Sequence, residues 1–290
     1  MVREGVEIRR AHSDDALACG RIIFSAFKHA ADRCGTLCDF PSERDAIRIA
    51  GALIADPSVY AVVAHERGRI VGSNFLLEGD RVRAVGPTSV DPAHQNHGIG
   101  RALMRAVLDR ARDAEAIRLV ADLYNLNAVH LYATLGFTMS ETLLLMRGAA
   151  AVDGLCGYEV RPMREDDVAA CGRLCRAVYG FERSAELEAA LLFHEPYVVA
   201  RGGRITGYLS AADNALASHG VAERIEDLEA LVAGICTQLG RELAFHVPMR
   251  ENAFVAWCVA AGFKPLKAST LMTLGRFEPP HGMCLPSAYY

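Results

Sequence analysis

The first chemistry legible in this chain is the run Gln95-Asn96-His97-Gly98-Ile99-Gly100-Arg101. Its glycines stand where Ile99, Leu103, Val107 and Ala111 begin to recur at helical spacing, with Arg101, Arg105, Asp109 and Arg112 between them. A glycine-bearing turn that opens a helix is an anion site. The first backbone N–H groups have no intrahelical partner, and the macrodipole places partial positive charge there. Gly98 and Gly100 lack a Cβ, so a phosphate can approach the backbone closely. The run therefore predicts a ligand that carries a pyrophosphate. It is not a Gly-Lys-Ser/Thr phosphate loop, and it lacks the third glycine of the dinucleotide fingerprint.

Such a loop must be delivered by a strand and followed by a helix. Val85 to Val90 suit a strand kinked at Gly86-Pro87, and Asp91-Pro92 ends it. Downstream, the apolar run Ile117 to Ala121 predicts a second strand, closed by Asp122. Asn125 then opens a short helix on which Val129, Tyr132 and Leu135 share a face, before Gly136-Phe137.

Together, Gln-x-x-Gly-x-Gly at Gln95 to Gly100 and Asn125 with Tyr132 seven residues on and then Gly136-Phe137 resemble the two cofactor motifs of the GNAT N-acetyltransferases. The resemblance implies acetyl-CoA as co-substrate and direct acetyl transfer to a primary amine in a ternary complex. It implies that Asn96, His97, Gly98, Ile99, Gly100 and Arg101, with Gln95, take the pyrophosphate. The strand edge Thr88-Ser89-Val90 would pair with the pantetheine arm, Asn125 would hydrogen-bond it, and Tyr132 would protonate the leaving sulfur. A phenol with an ordinary pKa of about 10 is protonated at neutral pH and close in acidity to a thiol. The competing reading of Tyr132 is core packing; that of His94 and His97 is a pair of solvated loop residues. For a general base the candidates are Asp122, otherwise a strand-end cap, and His29, in the segment after the first helix. A ping-pong route through Cys34 or Cys38 needs an activated thiolate, which nothing in the sequence indicates. Lys28 to Arg44 would wall the acceptor pocket. No metal is required. The alternative function is a non-catalytic acyl-CoA sensor, which would need the loop and not the acid.

The chain also repeats itself. Glu7 to Arg21 aligns without gaps on Glu159 to Arg173, and the hairpin sequence Val62 to Gly72 echoes Val198 to Gly207. Leu135-Gly136-Phe137 is echoed by Ala261-Gly262-Phe263. The expected architecture is a mixed α/β (α+β) fold: two tandem GNAT-like domains, residues 1–148 and 149–290, joined by the linker Gly148 to Gly157. The second copy lacks the loop, offering Leu216 to Glu223 and then the acidic Glu226-Asp227-Leu228-Glu229, and it has Cys258 where Tyr132 stands. It is expected to be degenerate and to serve the acceptor pocket or a dimer surface, with His219 and Arg250 as possible acceptor contacts. The tail, Glu278 to Tyr290, is expected to cover a groove or a partner.

Composition bounds the rest. The chain has 290 residues, 51% hydrophobic and 23% charged, with a net charge of −4. That supplies a core and gives no electrostatic reason for a nucleic-acid partner. No apolar run approaches the length of a membrane span, and no secretory h-region follows Met1. Nine scattered cysteines without zinc spacing read as buried, reduced thiols in a cytoplasmic protein. The expected partner is a small-molecule or peptide amine. Monomer and homodimer remain open.

Overall fold

The structure, a computed structural model, describes residues 5–79, 81–150 and 156–288, and within them the chain forms two compact units. Part of the linker and the terminal Tyr289-Tyr290 lie outside the described residues.

The first unit begins with β1 (Val6–Arg10), α1 (Ala16–Cys34) and α2 (Glu43–Ala55), then β2 (Val59–Glu66), β3 (Arg69–Leu77), β4 (Val82–Val85) and β5 (Ser89–Val90). It continues with α3 (Ile99–Arg110), β6 (Ala116–Asp122) and α4 (Leu126–Ala133). Strands β1 to β4 are antiparallel neighbours, and β4 pairs with β6 in parallel over Val82 to Ala84. Past Gly86-Pro87 the chain leaves β6, and β5 pairs only β3 among the described strands. The sheet thus splays between β5 and β6. Apolar faces of α3 and α4 close over it, burying Ile99, Leu103, Met104, Val107 and Tyr132 with Leu119, Ala121 and Phe137.

In the second unit, β8 (Tyr158–Pro162), α5 (Val168–Tyr179), α6 (Ser184–Phe193), β9 (Tyr197–Arg201) and β10 (Arg204–Leu209) repeat the opening order. Then come β11 (Gly220–Ala222), α7 (Ile225–Leu239), β12 (Leu243–Pro248), α8 (Asn252–Ala260), β13 (Lys264–Gly275) and β14 (Met283–Leu285). The unit also takes most of β7 (Thr138–Gly148), which pairs antiparallel with β12 from Leu143↔Pro248 to Gly148↔Leu243. Conversely, Met272–Arg276 belongs to the first unit, where the end of β13 follows β6 in the sheet. Each compact unit is therefore completed by strand residues from the other segment, a difference from a simple division at residue 148.

The repeat is visible at side-chain level. Arg9 makes a bidentate pair with Asp15 at 2.7 and 2.9 Å, and Asp15 also accepts from His12 N at 2.8 Å. Arg161 and Asp167 do the same at 2.6 and 2.9 Å, with Arg164 N at 2.8 Å. The aligned glycines Gly20 and Gly172 both mark close helix approaches. A Cβ would lie 2.3 Å from the Ile47 backbone at the first and 2.6 Å from Ser184 Oγ at the second.

These pairs set an acid limit. The hydrogen bonds from Arg9 and Arg161 hold the Asp15 and Asp167 carboxyls below the ordinary carboxylate range. A carboxyl with a lowered folded pKa contributes stability above its unfolded value of about 3.9, and that contribution is lost as pH falls through the folded value. Asp15→Asn is expected to cost about 2 kcal/mol at pH 7, with the difference from the parent protein shrinking below about pH 4. Thermal melts at pH 7 and pH 3 check this; an unchanged difference would contradict it.

Not all cysteines are interior. Cys19, Cys171, Cys175, Cys236, Cys258 and Cys284 are buried, but Cys34 and Cys156 are exposed and Cys38 is half-buried. The expectation of buried thiols fails there because these three lie at a helix end or in loops, where no core covers them. No helix among the described residues is long and apolar enough to cross a membrane.

Candidate active site

The loop after β5 is built to present a bare helix end. Asp91 caps the short turn Pro92–His94 through Ala93 N, and Gln95 Nε2 donates to Val90 O at 3.1 Å. Gln95 thus fastens the loop to its strand. The chain then passes through left-handed backbone at Asn96 (φ 65°) and Gly98 (φ 79°). Helix α3 starts with no capping side chain, and the Ala102 N–H bonds to Gly98 O at 3.1 Å. Ile99, Gly100 and Arg101 present the N–H groups of the first turn. Asn96 and His97 are exposed, and His97 Nδ1 lies 3.4 Å from His94 O. A Cβ on Gly100 would meet Leu131 at 3.4 Å and Val90 at 3.8 Å, so α3, α4 and β5 meet closely here. The Arg101 guanidinium reaches Thr134 Oγ1 at 2.7 Å and ties the loop helix to the end of α4.

Tyr132 is carried by α4 into this junction. Only 8% of it is exposed, and its ring lies 6.2 Å from that of Phe137. Burial pushes its pKa above the ordinary phenol value. Ser89 is buried and its hydroxyl lies 3.0 Å from that of Ser73. Asn125 caps α4, its Oδ1 accepting from Ala128 N at 3.3 Å.

The structure thus brings Thr88, Ser89, Val90, Gly100, Arg101 and Tyr132 to one place on the splayed strand edge. The base candidates differ. Asp122 ends β6, half-buried, and accepts a hydrogen bond from Tyr124. Burial first, and then the Asp122 charge, pushes the Tyr124 pKa well up, with smaller contributions from Asp39 and Cys38. Cys34 Sγ lies 4.0 Å from Tyr124 O. The residues between α1 and α2 therefore face the end of β6. His29 is exposed within α1 rather than in a segment after it, because the helix runs on to Cys34 before Gly35 ends it. In the linear pattern Tyr124 merely precedes a helix, and nothing there pairs it with Asp122. No cluster of three or more His, Cys, Asp or Glu among the described residues is placed to hold a metal ion.

The second unit fills the corresponding places with its own atoms. Only Glu223 and Arg224 separate β11 from α7. The first turn of α7 carries Asp227, fully buried, which accepts from Arg201 Nε and Thr206 Oγ1, both at 2.9 Å. A carboxylate already complements that helix end. The outer edge of β11 pairs antiparallel with β14, Gly220↔Leu285 to Ala222↔Met283, so the tail covers a strand edge of its own unit. His219 is buried between Tyr208 and Tyr179, with ring centroids 5.5 and 5.4 Å away, and burial drives its pKa well down. Arg250 pairs with Glu141 at 2.9 Å and Glu251 at 3.1 Å. Both residues thus have partners within their own unit.

The chain is similar to known proteins. Residues 24–137 match the model of the "Acetyltransferase (GNAT) family". A stretch of 69 residues is 44% identical to the mycothiol acetyltransferase of Nocardiopsis dassonvillei, covering 23% of this chain and 21% of that protein, about a fifth of its length. Among solved structures, a Pyrococcus horikoshii protein identified provisionally as an acetyltransferase superposes with a TM-score of 0.74 at 18% identity, over 96% of this chain and 92% of its own. A tandem GNAT protein from the clavulanic acid biosynthesis pathway does so with a TM-score of 0.59 at 17% identity, over 94% and 100%. The chain has the mixed α/β fold of the tandem GNAT structure it superposes on, and the segment that carries the glycine loop and Tyr132 matches the acetyltransferase (GNAT) family model.

Proposed function

We propose that this protein is an N-acyltransferase that moves an acetyl group from acetyl-CoA to a primary amine, directly, in the first unit. The observation that carries this reading is the junction of an uncapped α3 N-terminus with β5 and with α4, which bears Tyr132, on the side of β5 that no described strand pairs. The residues fit the cofactor. Ile99, Gly100 and Arg101 offer backbone N–H groups to a pyrophosphate, Asn125 and the β5 edge offer polar partners to a pantetheine arm, and Tyr132 holds a proton at its hydroxyl. When bound, acetyl-CoA supplies an acetyl thioester. Asp122, paired with Tyr124, is the carboxylate set to relay the amine's proton to water. The segments 1–148 and 149–290 are the two copies of one domain that have exchanged their final strand residues. The second copy is a closed, non-binding relative that supports the first.

The reading is tested by binding and turnover together. Calorimetry is expected to give one acetyl-CoA per chain, and a free-thiol assay over a panel of polyamines, amino acids, aminoglycosides and peptides to give acetyl-CoA-dependent release with at least one. Two molecules per chain would contradict the closed second unit. Binding without turnover on any amine would replace the enzyme with a sensor.

A further inference from the structure

Gly72, Asn74 and Leu76 alternate along β3 onto the face that α3 covers. A Cβ on Gly72 would meet Leu103 at 3.0 Å and Ile99 at 3.5 Å, and Leu76 lies in the same core. Between these two apolar positions Asn74 is fully buried. In the second copy Gly207 aligns with Gly72, so Leu209 takes the place of Asn74 and is buried as well. Burying an amide where leucine serves is costly unless its polar atoms are bonded. Those of Asn74 are. Its Oδ1 accepts from Thr88 Oγ1 at 2.8 Å and from the Phe75 N–H at 2.9 Å, and that N–H identifies the oxygen end of the amide. Its Nδ2 donates to Met104 Sδ at 3.3 Å, and Thr88 Oγ1 lies 3.6 Å from the same sulfur. One side chain thus joins β3, the start of β5 and α3.

These bonds sit on a break in the strand register. On β3, Leu76 pairs with Val85 of β4 and Ser73 pairs with Ser89 of β5. Asn74 and Phe75 therefore oppose Gly86, Pro87 and Thr88, two residues against three. An extra residue on one strand is a β-bulge, and it bends the strand that carries it. Before the bulge β4 pairs with β6; after it β5 pairs only β3 among the described strands. The second copy has neither the bonds nor the bulge. There β10 and β11 keep one register from Gly207↔Ala222 to Leu209↔Gly220, and β14 pairs the outer edge of β11. We propose that Asn74 is a positioning residue for the pantetheine arm: its amide clamps the bulge, and the bulge holds the outer edge of β5 open beside the helix that takes the pyrophosphate. This rests on the acetyl-CoA reading proposed above. Asn74 acts through Thr88 and Met104, from inside the core.

The test is Asn74→Leu with two ligands. One is acetyl-CoA; the other is 3′-phosphoadenosine 5′-diphosphate, the half of coenzyme A that has the pyrophosphate and lacks the arm. Calorimetry is expected to show acetyl-CoA bound about ten-fold more weakly, the scale of one buried hydrogen-bond partner removed, and the nucleotide half bound within about two-fold of the parent protein. Thr88→Val, which removes the hydroxyl and keeps the backbone, should show the same split. The double variant should bind no more weakly than Asn74→Leu alone, because both substitutions break one bond. Equal weakening of both ligands, unchanged acetyl-CoA affinity, or losses that add in the double variant would overturn the proposal. If Asn74→Leu does not fold, the split in Thr88→Val decides. If the parent protein binds neither ligand, the acetyl-CoA reading fails, while amide hydrogen exchange along residues 86–91 still decides whether Asn74 holds the bulge. Exchange there should quicken in the Asn74 or Thr88 variant, and unchanged exchange would remove the clamp.

Discussion

Gly98→Val is expected to weaken acetyl-CoA binding at least about a hundred-fold. Gly98 is the residue before α3 and stands at φ 79°, in the left-handed region that a β-branched side chain adopts only under strain. Relieving that strain rotates the peptide that leads into the first helical turn. The N–H groups of Ile99, Gly100 and Arg101 then no longer converge on one anion. Each charge-assisted hydrogen bond is worth about 1.5–3 kcal/mol, so losing two accounts for the hundred-fold and more. Calorimetry on a variant with an unchanged circular dichroism spectrum is the measurement. Affinity equal to that of the parent protein would remove the loop from the binding site. Gly98→Ala, which lacks the β-branch, should fall between the two.

Tyr132→Phe is the second large effect and has the opposite profile. It deletes one oxygen from a buried ring that keeps its packing against Phe137. General acid catalysis contributes roughly 10²- to 10⁴-fold, so turnover should drop about a hundred-fold while the cofactor's dissociation constant stays nearly constant. Single-turnover measurement at saturating acetyl-CoA separates the two. A variant that turns over like the parent protein would return Tyr132 to a packing role. The contrast matters: one substitution removes binding and the other removes chemistry, from residues whose elements touch where Gly100 meets Leu131.

Much of this is legible in the linear sequence. The glycine spacing at Gln95 to Arg101, the interval from Asn125 to Tyr132, and the gapless match of Glu7–Arg21 to Glu159–Arg173 are local patterns. Local patterns report backbone conformation well, because a left-handed residue, a helix cap or an amphipathic face is decided within a few positions. The poverty of the second copy is legible too, since a missing Gly-x-Gly is as visible as a present one. Residue type and spacing alone suffice to name the candidates along the loop and α4.

What the sequence could not show depends on contacts between distant positions. Asn74 lies on β3 and Thr88 at the start of β5, and only antiparallel pairing brings their side chains to 2.8 Å. Tyr124 gives no sign of holding Asp122 until the turn after β6 is formed. Gln95, Arg101 and Asn125 read as ligand contacts, yet each also spends a hydrogen bond on the scaffold: Val90 O, Thr134 Oγ1 and Ala128 N. The tail's strand β14 against β11, and the membership of β7 and β13 residues in units they do not precede, are long-range pairings. Backbone hydrogen bonds between strands are nearly blind to side-chain identity, so such pairings leave little trace in composition. The sequence by itself named a candidate anion-binding helix start and a candidate acid in one half of a chain whose segments repeat. The tertiary structure decided that Tyr132 is buried, that Thr88 is held by a core asparagine, and that the first turn of α7 carries its own buried carboxylate. Burial and long-range hydrogen bonding decide how a residue ionises, and neither is a property of its neighbours in sequence.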